Sequence, residues 1–334
     1  MSSLVSILIP CYNAAQYVSQ GIESALAQTW QNKEIIVVDD GSCDQSLAIA
    51  RQFEDKGVQV LSQQNRGASA ARNRAFHASK GKYVKFFDAD DVLHPRLLEA
   101  QMARIGGSVT AVASSSWGRF YNNDLSTFQL SYESVWRDMD ARDWLVEAWM
   151  NARPMMQPAI FLMPRSLVES RGLWNESLSV VDDFEFFTRI LCGATEVRFA
   201  ADAPVYYRSG LPFSLSRRAN RKAVESAYKS VSLATSCLLD RGGGRSARKA
   251  CANILQDFIY TYYPEHSDLL EKVARRVGDL GGSDLPPTGT RPFEQLRDIF
   301  GWKVAKRIQR AAYWVGYKPR PPFARPRTRG ANAT

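Results

Sequence analysis

The chain has 334 residues, of which 45% are hydrophobic, and its formal net charge is +9. This size and composition suit one large α/β domain with an appendage, or two modest domains. Its apolar runs fall short of the roughly 18 uninterrupted residues that a membrane-spanning helix needs, so we predict no such helix.

The positive charge is concentrated in the C-terminal third. Residues 1–216 carry 20 Lys and Arg against 24 Asp and Glu, a net charge of −4, whereas residues 217–334 carry 23 against 10, a net charge of +13. This asymmetry predicts a mildly acidic core domain, followed by a region suited to the phosphates of lipid or nucleic acid.

Two features indicate a cytoplasmic protein. Residues 1–10 have neither a basic start nor a long apolar core, so we expect no signal peptide. The five cysteines form no CxxC pair and have no regular spacing, which argues against a disulfide framework or a zinc site and fits a reducing compartment.

The first hundred residues alternate apolar runs with helical patterns. We predict strands at residues 5–9, 33–38, 58–61 and 83–87, and helices at 14–28, 44–56, 68–79 and 95–104. This alternation indicates a mainly parallel sheet with helices on both faces. In such sheets, ligands bind at the carboxyl ends of the strands.

Polar residues follow three of these strands. We expect Pro10 to end the first strand, and Tyr12 and Asn13 follow it. Asp39 and Asp40 follow the second strand, and Asp88, Asp90 and Asp91 follow the fourth. The last three carboxylates repel one another unless water or a divalent cation lies between them, and oxygen ligands suit Mg²⁺ or Mn²⁺. An acidic turn that only caps the next helix is the alternative, but polar clusters at one edge favour a ligand site.

The rest of the chain gives further elements. We predict strands at residues 110–114 and 158–163 and a loop at 278–292. We predict helices at residues 140–150, 182–191, 223–239, 246–263 and 302–315, and one more helix that begins near residue 165. Asp182 and Asp183 fall at the N-terminus of a helix, where the macrodipole favours anions. They are either caps of that helix or catalytic carboxylates.

Together these residues predict a site for a nucleotide diphosphate, with a polar pocket for the base and ribose and a metal for the diphosphate. No glycine-rich phosphate loop of the G-x-x-x-x-G-K or G-x-G-x-x-G type follows the first strand, so the sequence supports neither a P-loop nor a Rossmann dinucleotide site. The phosphates would then be met by the metal and by arginine.

Five segments carry a resemblance to a known family. They are VSILIPCYN at residues 5–13, IVVDDGS at 36–42, NRGASAARN at 65–73, FDADD at 87–91, and NESL through DDFE at 175–185. In this order they resemble the inverting family 2 glycosyltransferases of the GT-A fold, over about residues 3–217. The resemblance implies an α/β fold with a Rossmann-like, mainly parallel sheet between helices.

The resemblance and the composition of the remaining residues together predict a division of the chain. The expected GT-A catalytic domain is residues 1–217, with a nucleotide-sugar half at 1–105 and an acceptor half at 106–217. A helical basic extension would follow at residues 218–315, and a disordered Pro/Arg tail at 316–334.

Roles for individual residues follow from the same resemblance. It implies that the nucleotide is held by Pro10, Tyr12, Asn13, Asp39 and Asp40, and that Arg72 lies near the base or phosphate. Asp88 would meet the ribose or a metal-bound water, and Asp90 would bind Mn²⁺ or Mg²⁺. Asp183 would be the catalytic base. The metal would stabilise the departing nucleoside diphosphate, while Asp183 takes the proton of the attacking hydroxyl. One such displacement inverts the anomeric configuration.

The implied donor is a nucleotide sugar, a UDP-sugar first of all. The implied acceptor is a hydroxyl of a glycan or of a lipid-linked carrier in cell-envelope or exopolysaccharide synthesis. The sequence identifies neither the sugar nor the oligomeric state.

The chain departs from the family pattern in two places. Family members often carry Glu-Asp-Trp where this chain has Asp182-Asp183-Phe184, and many carry a histidine soon after the segment that here begins Tyr207-Arg208. This chain has no histidine there. Metal coordination beyond Asp90 therefore stays open.

Three other functions fit the sequence less well. A nucleotidyltransferase would need a glycine-rich phosphate loop after the first strand, and this chain lacks one. A non-catalytic nucleotide-sugar-binding relative does not need all four of Asp39, Asp88, Asp90 and Asp183. A nucleic-acid-binding protein is favoured only by the basic tail, which has no interleaved aromatic residues for base stacking, so we expect no nucleic acid partner.

The basic C-terminal region has two interpretations. Residues from about 218 onward could dock the protein on an anionic membrane at the inner face of the cell membrane, through helix 302–315 with Trp302, Tyr313 and Trp314 as anchors. Alternatively, this helix packs on the core domain. Helical periodicity alone does not say which apolar face meets protein.

Overall fold

The computed structural model of the protein describes residues 2–152, 154–211 and 220–314. Its first sheet contains β1 (Val5–Cys11), β2 (Lys33–Asp39), β3 (Val58–Ser62), β4 (Tyr83–Phe86) and β9 (Met163–Pro164). The spatial order is β3-β2-β1-β4-β9, and the first four strands are parallel. Helices α1 (Val18–Leu26), α2 (Ser46–Arg51) and α3 (Ala68–Ala78) connect these parallel strands.

All seven residues of β1 are buried. Because successive side chains of a strand point to opposite faces, both faces of the sheet are covered at its centre. The predicted α/β class with a mainly parallel sheet is therefore confirmed.

Two details of this sheet differ from the prediction. Pro10 does not end β1, because it lies beyond the end of β4 and pairs only with Val38 of β2. The strand expected at residues 158–163 is wrong, since Pro158–Ile160 forms a 3-10 turn and only Met163–Pro164 pairs with β4. The buried ammonium of Lys85 donates hydrogen bonds to the carbonyl oxygens of Ala159 and Phe161 and thereby holds this turn.

The second sheet contains β5 (Val92–Leu93), β6 (Val112–Tyr121), β7 (Asp124–Leu130), β8 (Met139–Asp140) and β10 (Glu196–Arg208). Its order is β5-β10-β6-β7, and β8 pairs with β10. Asn122 and Asn123 form the β6–β7 turn with φ of 55° and 57°, the left-handed conformation that a two-residue hairpin favours. An isolated bridge between Ala113 and Leu162 joins the two sheets.

Four helices lie in the middle of the chain. They are α4 (Leu97–Ile105), α5 (Ala141–Met150), α6 (Arg165–Arg171) and α7 (Asp182–Leu191). Asp140 caps α5, since its carboxylate accepts hydrogen bonds from the backbone N–H groups of Arg142 and Asp143. Helix α7 begins and ends at the predicted residues.

The C-terminal region is helical, as expected. Its helices are α8 (Arg221–Asp240), α9 (Arg245–Tyr262), α10 (Ser267–Asp279), α11 (Arg291–Phe300) and α12 (Trp302–Trp314). The first three contribute buried side chains to the same apolar core as β1, and that core extends from Val5 to Leu280. No helix among the described residues is long and apolar enough to cross a membrane.

This shared core corrects one expectation. Residues from 218 onward do not all lie apart from the catalytic core, because α8 packs on α7 and α9 packs on α5. The predicted boundary at residue 217 and the predicted tail at 316–334 lie outside the described residues.

Candidate active site

The carboxyl ends of β1, β2 and β4 bring the predicted polar residues to one edge of the first sheet. In the parallel register, Cys11 lies opposite Asp39, and Leu8 lies opposite Phe86. The residues that follow these strands therefore emerge side by side, as the sequence predicted.

Asp39 is the buried acidic residue at the end of β2. Its side chain is 1% exposed, one oxygen accepts a hydrogen bond from Ser42 N at 3.3 Å, and the other oxygen, Oδ1, has no partner within the described residues. Burial of an unpaired acceptor is costly, so this oxygen is suited to an N–H donor from a ligand. At the same edge, Tyr12 leaves 46% of its surface exposed. An exposed ring beside a free acceptor suits a planar heterocycle.

Asn13 and Asp40 shape the loops around this pocket. Asn13 Oδ1 accepts a hydrogen bond from Cys43 N at 2.8 Å. Asp40 accepts hydrogen bonds from Gln63 Nε2 at 2.7 Å, Arg66 N at 2.9 Å and Gly67 N at 2.8 Å. The carboxylate of Asp40 therefore fastens the loop before α3. Direct contact of Asn13 or Asp40 with a nucleotide stays a prediction.

Arg72 of α3 lies between two acidic parts of the site. Its guanidinium pairs with Asp88 Oδ1 at 2.8 Å and with Asp182 Oδ2 at 2.9 Å, and the residue is only 6% exposed. The Trp174 ring covers it at 4.2 Å. Breaking a buried pair of this kind leaves an uncompensated charge, so Arg72 fixes the end of β4 relative to the start of α7.

Asp183 has a different environment from Asp182. Arg72 and Ser69 Oγ, the latter at 2.8 Å, both bind Asp182. Asp183 accepts a hydrogen bond from Phe184 N at 2.8 Å and forms no ion pair within the described part of the chain. Burial raises the pKa of Asp183 to about 7; the charges of Asp182 and Asp88 add to this rise, and Arg72 opposes it. A carboxylate with this pKa is suited to general-base catalysis near neutral pH.

Asp90, like Asp183, forms no ion pair among the described residues. Burial, and then the nearby charge of Asp88, raise the pKa of Asp90 to about 6. Asp88 is already paired with Arg72. Asp91 accepts hydrogen bonds from Gln157 Nε2 and Arg208 N, so Asp90 is the carboxylate of this turn to which no other described residue donates a hydrogen bond.

This donor set fits a divalent cation that is completed by substrate. No group of three or more His, Cys, Asp or Glu side chains that could hold a metal occurs in the described ranges. Mg²⁺ usually binds through one or two carboxylates together with substrate phosphates and water. Asp90, with Asp88 beside it, offers such a partial set of hard oxygen ligands.

Arg208 is a site residue whose importance the sequence did not reveal. It is 3% exposed, its Nε donates to the Asp90 carbonyl oxygen at 2.5 Å, and its backbone N donates to Asp91 Oδ1 at 2.8 Å. It therefore ties β10 to the turn that carries Asp88 and Asp90. The one feature of the sequence that pointed to Arg208 was its place directly after Tyr207, at the start of the segment compared with the family pattern.

Phe184, one of the two departures from the family pattern, has a clear packing partner. Its ring stacks on Trp149 of α5 at 4.9 Å between centroids. A tryptophan of this chain therefore lies beside the position where many family members have their own. The second departure concerns a segment of which residues 212–216 lie outside the described ranges.

Comparison with known proteins decides the family. Residues 6–172 match the model of Glycosyl transferase family 2. The chain belongs to this family. The resemblance noted in the sequence is thereby confirmed, and family 2 members are glycosyltransferases.

Two curated relatives illustrate the similarity. The chain is 31% identical to the glycosyltransferase GlyG of Streptococcus pneumoniae over 182 residues, which cover 53% of this chain and 60% of GlyG. It is 29% identical to EpsH of Bacillus subtilis over 308 residues, 88% of this chain and 89% of EpsH. For GlyG and two further relatives, the chain spans only 58–60% of their length.

Solved structures support the GT-A fold. Residues 1–349 of Staphylococcus aureus TarS share the fold with a TM-score of 0.64 and 18% identity, over 96% of this chain and 93% of that one. TarS has also been crystallised with UDP and with UDP-GlcNAc.

Proposed function

We propose that the protein is a metal-dependent inverting glycosyltransferase that moves a sugar from a UDP-sugar to a hydroxyl of a glycan or lipid-linked acceptor. One observation carries the proposal: Arg72 joins Asp88 and Asp182 in a buried ion-pair bridge. Through it, the strand end suited to a metal and diphosphate is held beside the helix start that carries Asp183.

The nucleotide base lies at the ends of β1 and β2. The unpaired Asp39 Oδ1 accepts the imide N–H of uracil, and the exposed Tyr12 ring covers the face of the base. Pro10 adds an apolar surface at the end of β1. The UDP complexes of TarS, a structural neighbour, support uridine as the nucleoside.

Asp90 holds Mn²⁺ or Mg²⁺, and Asp88 meets the ribose or a water of the metal. When bound, the metal neutralises negative charge on the departing nucleoside diphosphate. The ion pair with Arg72 partly neutralises Asp88, which leaves Asp90 as the stronger ligand.

Asp183 accepts the proton of the acceptor hydroxyl. Its raised pKa matches that task, because a base with a pKa near the working pH is both ionised and basic enough. Asp182 is less suited to this task, because its Oδ2 already accepts hydrogen bonds from Arg72 and Ser69. The hydroxyl attacks the anomeric carbon on the face opposite the nucleotide, so the product has inverted configuration.

Turnover by the full chain tests this proposal. UDP release from a panel of UDP-sugars, with a glycan or a lipid-diphosphate glycan as acceptor, should require Mn²⁺ or Mg²⁺. UDP binding without sugar transfer from any donor would instead indicate a non-catalytic relative. Salt-sensitive DNA binding without turnover would favour the basic region as a nucleic-acid-binding surface.

The acceptor belongs to cell-envelope or exopolysaccharide synthesis, and the protein reaches it at an anionic membrane. Helices α11 and α12 present an apolar-basic face that supports this part of the proposal. Its members are Ile299, Phe300, Val304 and Ile308, which are 43–71% exposed, and the exposed basic residues Lys303 and Arg307. Apolar side chains beside basic ones suit insertion at an anionic lipid surface, where each basic residue contributes roughly 1 kcal/mol.

The other side of α12 packs on protein, and the Arg307 guanidinium also lies 5.7 Å from the Tyr263 ring. Trp302 packs on Tyr260 and Tyr263, with ring centroids at 4.9 and 5.0 Å, and Ala305 is fully buried. Trp302 is therefore not the free anchor that the sequence predicted. Tyr313 is 44% exposed, and the side chain of Trp314 lies outside the described residues.

Co-sedimentation with vesicles tests the membrane role on the full chain, since α8–α10 share the core and cannot be removed. The protein should pellet with phosphatidylserine vesicles at low salt and be released at high salt. The double variant Ile299→Glu/Phe300→Glu should remain in the supernatant. The control is Tyr132→Ser, which changes a 70% exposed aromatic residue outside α11 and α12 and should pellet like wild type. Equal pelleting of all three proteins would remove the membrane role from this face.

A further inference from the structure

The side chain of Arg208 joins three separate segments around the turn at residues 88–91. It is 3% exposed, and each of its three guanidinium nitrogens donates a hydrogen bond. Nε donates to the Asp90 carbonyl oxygen at 2.5 Å, Nη2 donates to Gln20 Oε1 of α1 at 2.6 Å, and Nη1 donates to Asn123 Oδ1 at the tip of the β6–β7 hairpin. One residue of β10 therefore connects the turn to α1 and to the hairpin.

Two aromatic rings hold this guanidinium in place. Its central carbon lies 4.8 Å from the centre of the Tyr17 ring and 4.6 Å from the centre of the Phe120 ring. The guanidinium is planar and rigid, so contacts with rings and hydrogen bonds from all three nitrogens leave it little freedom to move. Arg208 can therefore fix the position of the groups that it binds.

Arg208 binds the turn in a way that leaves the Asp90 carboxylate unused. A buried cation ordinarily takes a carboxylate as its partner. Within the described part of the chain, however, the guanidinium of Arg208 forms no ion pair and binds the main-chain oxygen of Asp90. The carboxylate of Asp91 accepts hydrogen bonds from Arg208 N at 2.8 Å and from Gln157 Nε2. The turn is thus held at the Asp90 carbonyl and at the Asp91 side chain.

Helix α1 approaches the same turn at Gly21, which is an independent observation. A Cβ atom added at Gly21 would lie 2.8 Å from the Ala89 carbonyl oxygen, which is closer than real Cβ atoms come to such an atom. Glycine is therefore the residue that lets the backbone of α1 lie this close to the turn. Both Gly21 and Arg208 set where the turn lies.

We propose that Arg208 is a positioning residue for the metal site, which holds the backbone of Asp90 so that its carboxylate faces the divalent cation bound with UDP. This inference rests on the metal-dependent function proposed above. Arg208 acts through Asp90 and contacts neither the metal nor the nucleotide. Substitution of a residue that orients a metal ligand typically lowers metal affinity roughly 10–100-fold.

The gain in UDP affinity on adding metal measures this role. Calorimetry on the full chain gives the Kd of UDP in saturating Mn²⁺ and in EDTA, and the gain is the ratio of the two. Arg208→Lys keeps the charge, but one ammonium cannot replace the planar three-way contact, so the gain should fall about tenfold with the Kd in EDTA unchanged. Arg137→Lys, at an exposed arginine paired with Glu147, is the control and should keep the full gain.

Gly21→Ala tests the position of the turn without removing a charged or hydrogen-bonding side chain. The added methyl group meets the Ala89 carbonyl oxygen, so the turn must shift and the gain should again fall. Its control is Gly278→Ala in α10, where an added Cβ meets open space and the gain should stay at the wild-type value.

Thermal melts establish which variants fold. An undiminished gain in folded Arg208→Lys, or in Gly21→Ala if Arg208→Lys does not fold, overturns the proposal. An equal loss of UDP affinity in Mn²⁺ and in EDTA also overturns it, because Arg208 would then support the nucleotide pocket as a whole. If wild type itself shows no gain, the proposed metal dependence fails, and this inference fails with it.

Discussion

The end of β2 and the start of α7 each carry two adjacent aspartates, and in each place the fold uses one carboxylate and leaves the other. Asp40 is bound by the loop before α3, whereas one oxygen of Asp39 has no partner among the described residues. Asp182 is bound by Arg72 and Ser69, whereas Asp183 keeps an unpaired charge. Hydrogen-bond partners therefore distinguish the aspartate that supports the fold from the aspartate that is a candidate for binding or catalysis. Position in the sequence does not, because the two are adjacent.

The two places differ in what the remaining carboxylate can do. Asp39 lies beside the exposed ring of Tyr12, which suits recognition of a base. Asp183 lies near the charges of Asp182 and Asp88, and burial together with these charges raises its pKa, which suits proton transfer. The strand end between them repeats the pattern, with Asp88 paired to Arg72 and Asp90 without an ion pair among the described residues.

The largest effect is expected at Asp90. Asp90→Ala should abolish turnover and leave the melting temperature close to that of wild type, because this strand-end carboxylate contributes little packing. Asp124→Ala, in the exposed β6–β7 hairpin, is the matched control and should keep full activity. Undiminished turnover of wild type in the presence of EDTA would contradict the role of the metal.

The next largest effect is expected at Asp183. Asp183→Asn keeps the size of the side chain and removes the proton acceptor, so kcat should fall on the order of 10²–10⁴-fold with UDP affinity nearly unchanged. The matched variant Asp182→Asn should lose less activity but melt at a lower temperature, because it breaks the pair with Arg72. Loss of donor affinity with an intact rate at saturation would make Asp183 a binding residue.

The pH dependence sharpens the same contrast. As the proposed base, Asp183 must be ionised, and burial raises its pKa to about 7, so activity should be lost as pH falls through that value. Below it, kcat/KM should drop about tenfold per pH unit. Asp182→Asn should move this acidic limb of the pH–activity profile to lower pH, since the charge of Asp182 raises the pKa of Asp183. If Asp183→Asn shows the same fall in kcat/KM at low pH as wild type, the fall reports the titration of another group.

A smaller effect is expected at the end of β2. Asp39→Asn should weaken UDP binding roughly tenfold, about 1.4 kcal/mol, because a charged acceptor for the base is lost. Asp40→Asn should mainly lower the melting temperature, since Asp40 holds the loop before α3. Calorimetry and thermal melts on both variants separate these roles. A larger loss of UDP affinity in Asp40→Asn than in Asp39→Asn would reverse the assignment.

Much of the fold follows from sequence pattern alone. The four parallel strands were predictable because their apolar runs alternate with helical stretches, and α7 was predictable from its acidic first turn and amphipathic sequence. Strand β7 was missed because most of its residues are exposed, and β10 because its pairing register shifts between Ala200 and Val205. Helix α10 could have been found from its buried Leu269, Leu270, Val273 and Val277 spacing.

The candidate site was only partly predictable. The edge at which Tyr12, Asp39 and Asp90 meet follows from the order of the strands. Which carboxylate of each pair stays unused depends on side chains that only the folded chain brings close, such as Arg72 of α3 at Asp182. Tertiary contacts of this kind leave no local pattern in the sequence.

A crystal structure of the full chain with UDP and Mn²⁺ tests most directly whether the carboxylates left unused by the fold perform the chemistry. It should show Asp39 Oδ1 accepting a hydrogen bond from the uracil imide, Asp90 bound to the metal, and Asp183 facing the β-phosphate side of the pocket. Asp40 and Asp182 should keep their present partners. UDP bound with Asp39 Oδ1 still unpaired, or with Asp182 released from Arg72 to face the ligand, would contradict this account.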